Sequence, residues 1–209
     1  MKDIEQEFKW DASARGAFEN FLQAARSVCE NVRCAGAVHI TDYYLDNAKG
    51  DFAAQRAALR IRHAGQCWQA TLKSRSLLQN GLAVRQERTL TLIGVRSFRG
   101  ALTRLEQRAC WQGFALRDLR EKFRICNLRR RYMCTYKGVR CEAALDSYIT
   151  LHGGHQLSRR EIELELKKGP GKVFAQLVEK ISTTGRLRPA KISKVAGAEK
   201  WILQKFSLN

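Results

Sequence analysis

Charged and apolar residues trade places at every second position of this chain, in one segment after another. Strand side chains alternate between the two faces. Glu5, Glu7 and Lys9 therefore share one face of the first segment, while Ile4, Phe8 and Trp10 take the other. Arg60 and Arg62 oppose Leu59 and Ile61 in the same way, and Lys73 ends a similar run from Trp68. After an Asn80-Gly81 turn, Arg85, Glu87 and Thr89 lie opposite Val84, Leu90 and Leu92. Arg129 and Arg131 alternate with Leu128 and Tyr132, with Arg130 breaking the rhythm. Glu142, Ala144 and Asp146 share a face, and Glu161, Glu163, Glu165 and Lys167 alternate with Ile162, Leu164 and Leu166.

Any one of these segments alone is an amphipathic edge strand. Together they predict a sheet with one apolar face and one face crowded with charges of both signs. The apolar face needs cover, and helical spacing supplies it from Ser13 to about Asn31, through Phe18, Phe21, Leu22 and Val28, with Ser13 as N-cap. Further helices are expected near 94–109, 171–183 and 195–205. Helices outside turn the charged faces inward, toward one another across a closed or nearly closed antiparallel sheet, which also removes free edges. Burying ions without partners costs several kcal/mol each. A lumen of water, metal and anionic ligand relieves that cost, so the pattern reads as functional. The expected class is α+β, in a single domain over residues 1–209.

Composition narrows the ligand. Lys and Arg number 38 against 20 Asp and Glu, a net charge of +18, which favours a polyanionic partner. Acids share strand faces with the cations, however, and would repel a nucleic-acid backbone; specific nucleic-acid binding is not expected. Carboxylates suit Mg2+ or Mn2+, while arginine and lysine suit phosphate oxygens. A site with both types suits a metal-chelated polyphosphate. No apolar run approaches the ~18 residues needed to span a bilayer, and the start Met1–Glu5 lacks the apolar stretch of a secretory signal. The expected setting is the cytoplasm, without a membrane partner. Seven cysteines without a CxxC pair predict buried thiols at Cys29, Cys34, Cys67, Cys110, Cys126, Cys134 and Cys141. Neither a GxSxG elbow nor a GxxxxGK[ST] loop is present, and His39, His63, His152 and His155 show no triad context.

The ordered series resembles a known family. Glu5-x-Glu7-x-Lys9 is similar to the ExExK signature of the CYTH domain, or triphosphate tunnel metalloenzyme, superfamily. The likeness continues through Arg60, Arg62, Lys73, Arg85-x-Glu87, Arg129, Glu142, Asp146 and the 161–167 segment. It ends in Leu187-Arg188-Pro189 and Ile192-Ser193-Lys194, which resembles the pattern of bacterial inorganic triphosphatases. The resemblance implies a closed eight-stranded antiparallel β-barrel, a tunnel with helices packed outside, that binds triphosphate with Mg2+ or Mn2+. Carried over by position, Lys9, Arg60, Arg62, Lys73, Arg85, Arg129 and Lys194 would hold phosphate oxygens. Glu5 and Glu7 would bind metal with two of Glu161, Glu163 and Glu165, a register the triple repeat leaves open. Asp146 would stand with the metal ligands, and Glu87 and Glu142 in the acidic lining, Glu87 also orienting water. The chain departs from the pattern at Thr89, where many members carry an acid, at Tyr148, where glycine is common, and at Gly197-Ala198.

The function implied is hydrolysis of inorganic triphosphate to pyrophosphate and phosphate, with Glu5, Glu7, Lys9 and Glu87 as catalytic residues. Longer polyphosphate is a further expected substrate, and the protein is expected as a monomer or homodimer. A class IV adenylate cyclase, a thiamine or nucleoside triphosphatase, and a non-catalytic polyphosphate- or nucleic-acid-binding module are the alternatives. No base-recognition motif stands out, and Trp10, Trp68 and Trp111 read as packing residues.

Overall fold

The computed structural model describes residues 3–206, apart from a few side chains, those of Ile4 and Arg85 among them. Antiparallel strands joined by short turns dominate the chain. The chain begins with β1 (Asp3–Asp11), α1 (Ala17–Val28), β2 (Asn31–Asp46), the short α2 (Asp51–Ala54), β3 (Ala58–Ala64), β4 (Cys67–Gln79) and β5 (Leu82–Thr91). An excursion of α3 (Phe98–Glu106), β6 (Cys110–Trp111) and β7 (Phe114–Ala115) follows. The long strands β8 (Arg120–Tyr136), β9 (Val139–His152) and β10 (His155–Lys168) then lead to α4 (Gly171–Gly185), β11 (Arg188–Pro189) and α5 (Lys194–Phe206).

The main sheet is strongly curled and antiparallel, in the order β10-β9-β8-β2-β3-β4-β5-β1-β11. β1 pairs with β5 through Asp3–Phe8 and with β10 through Glu7–Asp11. Strand β1 thus bonds along both edges, with Glu5 opposite Arg85, Glu7 opposite Glu165 and Lys9 opposite Glu163.

Two apolar clusters cover the outer face. On one side α1 and α4 pack Phe18, Phe21, Phe174, Leu177 and Ile181 against Trp10, Leu145, Ile162 and Leu164. Trp10 is fully buried there, and its indole N–H donates to Ser182 Oγ at 2.8 Å. On the other side α2, α3 and the β6–β7 hairpin lay Phe52, Leu105, Phe114 and Leu116 over Leu59, Ile61, Trp68 and Leu72. The alternation expected for these strands is therefore observed, since the apolar residues of β1, β3, β4 and β10 face the helices.

α5 behaves differently from the other helices. Its Val195, Ala198 and Ile202 pack against Tyr44, Phe123, Ile125 and Tyr148, residues of the inner face. It enters one end of the curled sheet, so the expectation of helices packed only outside is corrected. A buried tyrosine on β9 supplies part of the apolar seat it needs.

Two local expectations also change. Ser13 does not cap α1: its N–H and hydroxyl both donate to the Asp11 carboxylate, at 2.9 and 3.0 Å. Gly16, in the left-handed region at φ 79°, precedes the helix, and the chain is already in β2 at Asn31. Of the cysteines, only Cys134 and Cys141 are buried. Cys29 and Cys126 are half-buried, and Cys34, Cys67 and Cys110 are exposed on strand ends and short strands.

Candidate functional site

The inner face of the sheet encloses a cavity of ≈ 510 Å³. Glu5, Glu7 and Lys9 line it from β1, Arg60 and Arg62 from β3, Lys73 from β4, and Glu87 from β5. Arg129 comes from β8, Glu142 from β9, Glu163 and Glu165 from β10, and Lys194 from the start of α5. Period-2 alternation places them there: each lies on the strand face opposite the helix-covered residues. Two expected residues fall elsewhere: Asp146 is fully buried behind the lining, and Glu161 faces a second cavity. The expectation for Arg85 concerns a side chain outside the described residues.

The charges form two nodes. In the first, the Lys194 ammonium donates to Asp146, Glu161 and Glu163, each at 2.7 Å. The Arg129 guanidinium forks onto Asp146 at 2.8 and 2.6 Å and also reaches Glu163. The Lys9 ammonium contacts Glu163, Glu7 at 3.1 Å and Glu161 at 3.5 Å. Burial disfavours the Lys9 charge, but Glu163, Glu7 and Glu161 outweigh it and hold its pKa above the ordinary lysine value. Lys194 is raised for the same reasons, burial being overcome by Asp146, Glu161 and Glu163. Burial also opposes ionisation of Glu163, yet Lys194, Lys9 and Arg129 hold its pKa well below the carboxylate range. Glu161 goes the other way: burial raises it more than Lys194 and Lys9 lower it. Of these two adjacent acids, Glu163 is therefore the stronger and Glu161 the weaker.

The second node lies across the lumen. Arg62 forks onto Asp42 at 2.7 and 2.8 Å, with Arg60 3.6 Å from the same carboxylate. Lys73 sits 2.8 Å from Glu87, which Arg60 approaches at 3.8 Å. Glu87 also hydrogen-bonds the Glu5 carboxyl, and although burial works against its charge, Lys73 and Arg60 keep it ionised. Asp42 is pushed down to about 2, its burial outweighed by Arg60 and Arg62.

Asp42, Tyr44 and Asn127 belong to the site without having been singled out from the sequence, and Thr71 and Ser193, which lie in the segments that carry the resemblance, join it without a role having been read for them. Asp42, Tyr44, Asn127 and Ser193 line the cavity, and Thr71 receives the Arg60 guanidinium at 3.4 Å. The signal for Asp42 was present in the parity of Ile40, Asp42 and Tyr44. The neighbouring Thr41, Tyr43 and Leu45 are strand formers too, which hid the alternation.

A metal site has to be judged by its donors. Among the described residues, no group of three Asp, Glu, His or Cys side chains converges as a ready-made cage. Glu161, Glu163 and Asp146 are instead occupied by lysine and arginine. A run of carboxylates does cross three neighbouring strands, with Glu7 opposite Glu165 and Glu165 opposite Glu142. Mg2+ typically takes one or two carboxylates plus substrate phosphates and water rather than an all-protein cage. The donor set fits that mode.

The profile of the CYTH domain family matches residues 4–198. No curated protein sequence matches. Among solved structures, the chain is similar to a proposed adenylyl cyclase from Hippeastrum with a dominant triphosphatase activity, at 20% identity and a TM-score of 0.64, over 94% of this chain and 96% of that one. A proposed adenylate cyclase from Bacillus halodurans aligns at 19% identity and a TM-score of 0.59, over 98% of each chain. The Mimivirus capping-enzyme triphosphatase aligns at 10% identity and a TM-score of 0.52, over 89% and 91%. At these identities the likeness concerns the fold. The family match covers nearly the whole chain, and the chain belongs to the CYTH domain family.

Proposed function

We propose that this protein hydrolyses inorganic triphosphate to pyrophosphate and phosphate, in a reaction dependent on Mg2+ or Mn2+, inside an eight-stranded tunnel. The tunnel reading is supported by β1 bonding to both β5 and β10, which returns the strand order to its start once the short β11 is set aside. The activity is supported by the triphosphatases among the structural neighbours. The observation that carries it is the lumen itself: cations on several walls facing a run of carboxylates around β1.

Glu7 and Glu165 are the pair we assign to the metal, with Glu5 beside them. Glu161 and Glu163 are the weaker candidates of the repeated acids, because Lys9 and Lys194 already hold them. The bound cation would supply Lewis-acid polarisation of phosphate oxygens and charge neutralisation as the phosphoryl group departs. Arg60, Arg62 and Lys73 stand on the opposite wall, where phosphate oxygens can replace carboxylate oxygens around their N–H groups. Lys9, Arg129 and Lys194 fix the other side. Glu87, held ionised, can accept a hydrogen bond from a water and orient it toward the terminal phosphorus. Attack by that water breaks the bridging P–O bond and releases pyrophosphate.

Inorganic triphosphate is preferred to ring-bearing substrates because Trp10 and Trp68 are committed to the outer cores and do not line the lumen. The basic run Arg124–Arg131 also fails to form one nucleic-acid-binding surface. Arg124 forks onto Glu121, Arg129 points inward and Arg130 lies over Phe18. The test is a comparison of kcat/KM for inorganic triphosphate, ATP and thiamine triphosphate. A clear lead for inorganic triphosphate is expected; a higher value for either organic substrate would overturn the specificity.

A further inference from the structure

A second cavity, ≈ 890 Å³, lies beside the tunnel rather than in it. It arises from a mismatch in strand length. β10 starts at His155, but its pairing with β1 begins only at Glu161, so the 155–160 edge runs past the end of β1. The segment from Arg188 to Ser193 crosses this gap on its way from α4 to α5. Ser193 contributes to both cavities, and Glu161, on the side of the second, is pinned by a 2.7 Å contact from Lys194, which lines the first; these residues form the wall between them.

The lining joins two chemistries. Arg159, Arg160, Arg188 and Lys191 bring four cations to it, against the two acids Asp11 and Glu161. Glu161 is engaged by Lys194 and Lys9, and Asp11 by Ser13. Among the described residues, Arg160 donates to backbone carbonyls, at 2.9 Å to Ala14 and 3.5 Å to Ser13, and lies over the Phe18 ring. Among the described residues, Arg159, Arg188 and Lys191 form no ion pair. Beside them lie Ile149 and Ile192, 36% and 39% exposed, two of the few large apolar side chains this chain leaves in water. Cations without counter-ions next to exposed isoleucines in one concavity match an anion joined to an apolar ring.

We propose that this lateral cavity binds a nucleoside phosphate, its phosphates on Arg159, Arg188 and Lys191 and its ring against Ile149, Ile192 and Pro189. It is a site separate from the triphosphate lumen, and the proposal does not depend on what the lumen hydrolyses.

The experiment is titration of the full chain with a fluorescent ADP analogue in the presence of chelator, with pyrophosphate as the comparison ligand. Three proteins are used: wild type, the double variant Arg188→Ala/Lys191→Ala, and the lumen variant Arg62→Ala. Both substituted residues of the double variant are exposed, and its melting temperature confirms folding. Saturable binding to wild type is expected, weakened about tenfold or more by the double variant, since charge-assisted contacts to phosphate are lost. Arg62→Ala should bind within about twofold of wild type, because its contacts lie across the separating wall. Tighter binding of ADP than of pyrophosphate is expected from the ring contacts. No saturable binding, or binding lost in Arg62→Ala and kept in the double variant, would overturn the site. Equal affinity for pyrophosphate would overturn the nucleoside assignment.

Discussion

Glu7 and Glu165 stand directly opposite one another across the β1–β10 pairing, on the side that faces the lumen. Like charges in such register destabilise a strand pair. Lys9, 3.1 Å from Glu7, and Lys167, 2.7 Å from Glu165, offset part of that repulsion. A divalent cation between the carboxylates would offset more. Mg2+ or Mn2+ alone, without substrate, is therefore expected to raise the melting temperature. Saturation at 100 times Kd corresponds to ~2.7 kcal/mol. The same titration of Glu7→Gln should show little shift; an unchanged shift there would place the cation elsewhere.

Lys194 holds three carboxylates at once, those of Asp146, Glu161 and Glu163. Removing one partner from a buried ionic cluster costs ~3–5 kcal/mol, because the remaining charges stay buried. Lys194→Ala should lose stability on that scale in urea unfolding and should raise KM as well. A loss below about 1 kcal/mol, the range of exposed pairs, would mean that the node is not the structural anchor described here.

The strand alternation was legible in the sequence, and its physical origin explains why. A one-residue slip would bury every charge of Glu5-x-Glu7-x-Lys9 under α1 and α4, so the parity of β1, β3 and β10 is strongly specified. What could not be read was the depth of each residue along the cavity. Glu161, Glu163 and Glu165 are equivalent by period, and only the pairing with β1 and the insertion of Lys194 separates them. The inward course of α5 was hidden for a related reason. Its partners Tyr44, Phe123, Ile125 and Tyr148 come from three strands that nothing local in the sequence joins. Ser13 misled because a serine ahead of an apolar-periodic stretch serves a cap and a turn on Asp11 equally well.

Asp42 ties the basic wall to pH. Its folded pKa of about 2 lies below the ordinary 3.8, so the unfolded chain binds its proton first. Stability from this group is complete above the ordinary value and is lost as pH falls toward about 2. Asp42→Asn should flatten the fall of unfolding free energy in that window. An equally steep profile in the variant would show that Asp42 is not held down by Arg60 and Arg62.

Gly81 controls the turn that positions Lys9. It sits at φ 86°, and its carbonyl accepts the Lys9 N–H at 2.8 Å. A Cβ there would come within 2.6 Å of Phe8 Cζ and 2.8 Å of Lys9 O. Gly81→Ala combines an unfavourable backbone region with a clash against main chain, and ~1–3 kcal/mol of destabilisation is expected. Thermal unfolding checks the stability, and kcat the displacement of Lys9. A neutral substitution would contradict the close approach of this turn to β1.

Metal-dependent hydrolysis in the lumen is tested by phosphate release from inorganic triphosphate with Mg2+, Mn2+ or chelator, for wild type beside Glu7→Gln. Metal-dependent release by wild type, abolished by chelator and lost in Glu7→Gln while that variant stays folded, is the predicted result. Release that persists in chelator, or undiminished hydrolysis by a Glu7→Gln protein that still binds triphosphate, would contradict it.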